Sequence, residues 1–319
     1  MRTILCLRAF TPEQQAAVRS AAPNETIVFG QASELEDRDY LEAEVILGWD
    51  AKVKDIALRE DSKLRWVQSW SSGIDSLPLD LLERRGILLT DASGVHARSV
   101  SETAAAMMLG LSRGIVSAVR NQREQRWESP ETLAEMNGGT VAIIGAGEIG
   151  REVARLARAF DMRIAAVSRS GRSVPEADVV YDTAGLDDAL READYVVNIL
   201  PLTDETRHLF HAERFAVMKR SAYFINVGRG ATVRTDDLVA ALNQGVIAGA
   251  GLDVFEQEPL PAGHPLWAME NVIVTPHNAG GMTVRNNERL IRLFASNLGI
   301  YLSSGPGKLR NLVDYGKKY

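Results

Sequence analysis

Three ionisable side chains fall just beyond three short apolar runs: Arg229 after Phe224–Ile225, Glu258 after Ala250–Leu252, and His277 after Ile273–Val274. Their types suit proton-coupled chemistry on a small carboxylate. A guanidinium grips a carboxylate through two parallel N–H donors. A histidine exchanges protons near neutral pH, and a neighbouring carboxylate fixes its tautomer and favours its charged form. Taken singly, each has an ordinary reading. An arginine between Gly228 and Gly230 is a surface charge, Glu258 before Pro259 is a solvated turn, and a lone His277 is a satisfied interior residue. Their shared place at the ends of apolar runs joins them, because open parallel sheets bind ligands outside the carboxyl ends of their strands.

The same rim carries a phosphate-binding pattern. The β-branched run Thr140–Ile144 ends in Gly145-x-Gly147-x-x-Gly150, with Glu148 and Ile149 between the glycines. The helical spacing Ile149, Val153, Leu156, Ala157, Phe160 follows. Gly145 allows a tight strand-to-helix turn, Gly147 lets a pyrophosphate approach bare backbone, and Gly150 lets helix and strand pack closely. The phosphates then meet unpaired N–H groups at a helix N-terminus. With a dinucleotide there, the other residues supply what reduction of a 2-keto acid needs. Arg229 and the backbone of Ser72–Gly73, in the small-residue turn after Val67–Gln68, hold the carboxylate. His277, steadied by Glu258, donates the proton as hydride reaches the carbon.

These residues need a scaffold that brings strand ends together. Short apolar runs alternate with helical patterns throughout, which predicts parallel sheets covered by helices. In the first part, strands are expected at Thr3–Leu7, Glu44–Leu47, Leu64–Gln68 and Ile87–Leu89, with helices at Pro12–Ala21 and Pro78–Arg85. One long Ala- and Met-rich helix is expected over Ser99–Val119. Further strands are expected near 141–144, 163–167, 195–199, 222–226, 247–252 and 271–275, and a last helix over Thr283–Leu302. The central glycine motif makes 98–284 the cofactor domain, and leaves 1–97 with 285–319 as the substrate domain. Crossings near 97 and 285 form a hinge whose closure excludes water.

Composition narrows the class. At 319 residues, with 45% hydrophobic and 24% charged residues, the chain reads as a two-domain globular protein. The net charge of −6 argues against a nucleic-acid or anionic-membrane surface. The one cysteine, Cys6, excludes an internal disulfide and sits in the apolar run Ile4–Leu7 as a buried strand residue. His208 and His211 fall on a helix, but without further ligands no metal site is expected. No signal pattern or membrane-spanning run is visible, so a cytoplasmic location is expected.

Cofactor preference is written at the end of the second central strand. An NAD site places Asp or Glu about 20 residues past the glycines, where it accepts from the ribose 2′-OH. Here the strand ends in Ser168-Arg169-Ser170-Gly171-Arg172 instead. Two arginines and two hydroxyls suit a 2′-phosphate, which predicts NADPH preference with NADH possible. Trp49, after the strand Val45–Leu47, is a candidate for lining the substrate side-chain pocket, as are Trp70 and Trp267 in nearby loops.

Across nearly its whole length the sequence resembles the D-isomer-specific 2-hydroxyacid dehydrogenases, with a flavour of the glyoxylate/hydroxypyruvate reductase branch. The resemblance rests on Ser71–Asp75, Gly94–Ala97 with Ser101–Glu102, Gly145–Gly150, Pro201–Thr206, Asn226–Gly230, Leu252–Pro259 and Thr275–His277. It implies α/β architecture of two doubly wound parallel-sheet domains, a flavodoxin-like substrate domain and a Rossmann cofactor domain. It places the carboxylate-binding arginine on Arg229, the supporting acid on Glu258 and the acid/base on His277. Cofactor contacts are implied at Pro201, Thr206, Val227, Asp253 (the nicotinamide carboxamide) and Gly280. It also implies a homodimer joined through cofactor domains. Some proteins of this fold are nucleotide-sensing corepressors, so a non-enzymatic NAD(P)-binding protein is the alternative expectation.

Overall fold

The computed structural model describes residues 1–129, 133–169, 171 and 173–316, and the chain divides into two compact units, Met1–His96 with Met282–Tyr319, and Ala97–Gly281. The first unit runs β1 (Thr3–Cys6), α1 (Pro12–Ala21), β2 (Thr26–Phe29), α2 (Asp37–Glu42), β3 (Ala43–Leu47), β4 (Trp66–Gln68), α3 (Leu79–Arg84) and β5 (Leu88–Thr90). The second runs α4 (Ala97–Ser112), α5 (Ile115–Arg123), β6 (Thr140–Ile144), α6 (Glu148–Arg158), β7 (Arg163–Val167), β8 (Val179–Tyr181), α7 (Leu186–Glu192), β9 (Tyr195–Asn198), α8 (Ala212–Val217), β10 (Tyr223–Asn226), α9 (Thr235–Asn243), β11 (Gly249–Leu252) and β12 (Val272–Val274). Helix α10 (Val284–Ser304) returns to the first unit.

Each unit is built on one parallel sheet. The first has the order β2-β1-β3-β4-β5, and the second β12-β11-β10-β9-β6-β7-β8. Parallel strands are covered on both faces, which is why the central ones read as unbroken apolar runs: Val45, Ile46 and Leu47 are fully buried, as are Val196 and Val197. Strand β11, Gly-Ala-Gly-Leu, carries almost no side chain for a packing reason. A Cβ on Gly251 would stand 2.8 Å from Met107 Cβ of α4, so the helix lies directly on the sheet there. Helix α1 starts at a capping box, with Thr11 accepting from Gln14 N and Pro12 in the first turn.

Three local expectations are corrected. The single helix over 99–119 is two, because Gly114 takes a left-handed conformation (φ 65°) between α4 and α5. Strands β2 and β8 were not foreseen; both are edge strands with mixed burial and no long apolar run. His208 and His211 lie outside any helix. His208 sits in a turn at φ 52°, where Thr206 ties Pro201 and Thr203 together, and His211 only caps α8. Cys6 is buried in β1, and burial pushes its thiol far above the ordinary range, which removes the nucleophilic thiolate. Among the described residues, no helix is long and apolar enough to cross a membrane.

Candidate active site

In the second unit, β10, β11 and β12 are neighbours and run in parallel, so Arg229, Glu258 and His277 leave the sheet at one edge. Arg229 follows β10 between two glycines, each pressed on backbone. A Cβ on Gly228 would lie 2.7 Å from Leu200 O, and one on Gly230 would lie 1.9 Å from Phe255 C. Arg229 itself is extended (φ −133°, ψ 137°), half-buried, and donates from Nη1 to Gly228 O at 2.9 Å.

The contact at Gly230 joins the arginine loop to the acid–base pair. The Phe255 N–H donates to Glu258 Oε1 (2.9 Å), and Glu258 Oε2 bonds His277 Nδ1 (2.7 Å). A carboxylate on Nδ1 favours the tautomer with its proton there, and the His277 side chain is 47% exposed. His277 holds φ 50°, a conformation that costs a non-glycine residue on the order of 1 kcal/mol or more and persists only where surroundings impose it. They do so here: the His277 N–H donates to Asp253 O (2.8 Å) and to Thr275 O (3.0 Å).

Asp253, buried at the end of β11, organises that loop. Its Oδ1 accepts from Thr275 Oγ1 (2.6 Å) and Asn278 N (3.0 Å), and its Oδ2 from Ala279 N (3.1 Å). A second acid–histidine pair lies nearby in sequence: Glu256 bonds His208 Nε2 and accepts from Thr235 N, each at 2.6 Å. Burial pushes the Glu256 carboxyl up, but the bonds from Thr235 and His208 outweigh it and hold the group below its usual range.

Three residues to which sequence reasoning gave no role, Asn226 of the Asn226–Gly230 motif among them, form a buried polar cluster beside Arg229. Asn198 and Asn226 close β9 and β10 in register, and Thr232 follows. All three are buried; Asn226 Nδ2 and Thr232 Oγ1 donate to the Arg229 carbonyl, and Asn198 Nδ2 donates to Thr232 Oγ1. The available signal was a polar residue ending each of two paired apolar strands.

The glycine loop fits a dinucleotide. Gly145 is at φ 108°, and a Cβ on Gly150 would meet Gly145 O at 2.4 Å, so both positions require glycine. Gly147 caps α6 without any side-chain acceptor, and a Cβ there would meet nothing within 4 Å, leaving an open approach to the first-turn amides. Glu148 is exposed and Ile149 half-buried in that turn. At the end of β7, the buried Ser168 Oγ lacks a hydrogen-bond partner, as expected where a ligand supplies one. Arg169 is exposed, and its charge reaches Glu205 in the loop after β9. Ser170 and Arg172 lie outside the described residues. In the loop after β9 Thr206 bonds the Pro201 carbonyl, while Val227 is buried beside Arg229 and Gly280 half-buried after His277.

In the first unit, Ser71 and Ser72 are exposed after β4, and the Gly73 N–H donates to Ser71 Oγ at 3.2 Å. That amide must exchange this bond to serve a ligand. Gln68 beneath the turn donates to the Ser69, Thr90 and Asp91 carbonyls and accepts from Asn297. Trp49 packs half-buried against the core. Trp70 lies over Gly48 and under the Arg8 guanidinium, 4.5 Å from its ring, while Trp267 is half exposed.

Comparison with known proteins agrees with this architecture. Residues 105–279 match the family described as D-isomer specific 2-hydroxyacid dehydrogenase, NAD binding domain. A glyoxylate/hydroxypyruvate reductase B from Escherichia fergusonii is 39% identical over 253 residues, covering 77% of this chain and 78% of the relative. Among solved structures, a D-isomer specific 2-hydroxyacid dehydrogenase family protein from Aeromonas salmonicida superposes with a TM-score of 0.86 at 34% identity, covering 98% of this chain and 99% of that one. An NADPH-dependent glyoxylate/hydroxypyruvate reductase from Sinorhizobium meliloti, in complex with NADP and sulfate, gives 0.81 at 29% identity over the full length of both chains. The chain belongs to the D-isomer specific 2-hydroxyacid dehydrogenase family.

Proposed function

We propose that this protein reduces a small 2-keto acid to the D-2-hydroxy acid, using NADPH in preference to NADH. The observation that carries the reading is the Glu258–His277 hydrogen bond, joined through Phe255 to the Arg229 loop. The relatives' named activities, on glyoxylate and hydroxypyruvate, support a small substrate.

Bound nicotinamide supplies the hydride. Arg229 and the Ser72–Gly73 amides hold the substrate carboxylate, and Trp49 limits its side chain. His277, with Nδ1 engaged by Glu258, gives a proton from Nε2 to the substrate oxygen. Gly145, Gly147 and Gly150 seat the pyrophosphate at the α6 N-terminus. Ser168, Arg169, Ser170 and Arg172 hold the 2′-phosphate, and Pro201, Thr206, Val227, Asp253 and Gly280 hold the remainder. Residues 98–284 act as the cofactor domain, and 1–97 with 285–319 as the substrate domain. The active form is a homodimer: α5 buries none of its residues, and Ile115, Val119 and Trp127 are exposed as an apolar surface for a second copy.

The test is turnover of glyoxylate, hydroxypyruvate, pyruvate, phenylpyruvate and branched 2-keto acids with NADPH and NADH, with product configuration assigned. D-products formed faster with NADPH support the proposal. Absence of turnover with all of them, or L-products, refutes it.

A further inference from the structure

We propose that Asn198, Asn226 and Thr232 are positioning residues for substrate binding, a buried clamp that fixes the Arg229 peptide so that its guanidinium meets the carboxylate. The inference rests on the role given to Arg229 above. Arg229 stands between Gly228 and Gly230, the residue type that least restricts a backbone. Something else must set its conformation, and three donors converge on its carbonyl. Thr232 Oγ1 donates at 2.6 Å, Thr232 N at 3.2 Å and Asn226 Nδ2 at 3.3 Å.

The donors are themselves locked. Asn198 Nδ2 donates both to Thr232 Oγ1 (2.7 Å) and to Asn226 Oδ1 (3.0 Å), and Asn226 Oδ1 also accepts from Gly228 N (3.2 Å). Asn198 Oδ1 accepts from Leu200 N (3.3 Å), so Asn198 is fully engaged. Asn198 and Thr232 are completely buried and Asn226 is 1% exposed. A buried polar network of this kind is rigid when every member is satisfied, and it holds a unique conformation better than separate bonds would. Strand pairing alone does not need it, since β9 and β10 already pair through their backbones. What the cluster adds is the orientation of one loop carbonyl, and with it the Cα–Cβ direction of Arg229.

The variant Thr232→Val keeps shape and removes the hydroxyl; Thr232→Ser keeps the hydroxyl. One lost neutral hydrogen bond corresponds to about a fivefold to tenfold effect. For Thr232→Val we expect kcat/KM for the keto acid to fall by about that factor, mainly through KM. NADPH affinity, read by fluorescence titration, should stay unchanged, and Thr232→Ser should restore the wild-type values. Because the loss acts through Arg229, Thr232→Val should add less than about twofold in an Arg229→Ala background. Asn198→Ala, which leaves the hydroxyl in place, should give a smaller shift in the same direction and serves if Thr232→Val folds poorly. Multiplicative losses in the double variant, an equal loss for Thr232→Ser, or a parallel fall in NADPH affinity would overturn the clamp while leaving the role of Arg229 intact. A neutral Arg229→Ala would overturn both.

Discussion

Gly230 and Phe255 are in backbone contact: a Cβ on Gly230 would lie 1.9 Å from the Phe255 carbonyl carbon. That contact sets the arginine loop against the segment that ends in Glu258, and no side chain fits between. Gly230→Ala must therefore push the two loops apart. Overpacking of this kind costs about 1–3 kcal/mol, occasionally more. Thermal unfolding should report the lower stability, and the keto acid KM should rise with it. An alanine variant with wild-type stability and kinetics would show that the loops are not coupled through this contact.

Arg229→Lys tests the geometry of anion binding separately from charge. Lysine keeps the charge but loses the planar fork. Arg229→Ala should lower kcat/KM for the keto acid on the order of 10²-fold, and Arg229→Lys should recover only part of this. Full recovery with lysine would mean that a point charge suffices and that a bidentate grip is absent.

The cofactor preference predicts an asymmetric effect of Arg169→Ala. Losing a charged hydrogen-bond donor to a 2′-phosphate should weaken NADPH use roughly tenfold and leave NADH use nearly untouched. Kinetic constants for both cofactors decide it, and equal losses would reject a phosphate contact at this position.

Glu256 gives a pH-dependent stability prediction. Its folded-state carboxyl is held below the ordinary value of 4.5, so the stabilisation is present above that value and fades as pH falls through the lower, folded one. Glu256→Gln should therefore cost on the order of 1 kcal/mol at pH 7, and the cost should shrink as pH falls through the folded value, both read by denaturant unfolding. A penalty that persists at the acid end would assign the loss to packing rather than ionisation.

The sequence was most readable where one physical requirement dominates. Gly145, Gly147 and Gly150 are demanded by a tight turn, bare backbone and close packing, and buried parallel strands such as Val45–Leu47 must be apolar on both faces. The split at Gly114 was less visible, because the apolar spacing of a helix continues across it and only the left-handed backbone ends it. The edge strands β2 and β8 lack continuous burial, which removes the periodic signal. The polar supports were hidden for another reason. Gln68, Asn198 and Asn226 read as the polar ends of expected strands and Thr232 as a loop residue, and nothing in a string of letters shows what they bond. Only the folded structure shows that they are buried, that Gln68 ties three carbonyls together, and that Asn226 and Thr232 meet at the Arg229 carbonyl.

The central claim is proton donation by His277. Single-turnover reduction with NADPH already bound isolates that step. The account predicts that His277→Ala binds NADPH with wild-type affinity yet transfers hydride on the order of 10²–10⁴-fold more slowly. An unaltered single-turnover rate would contradict it.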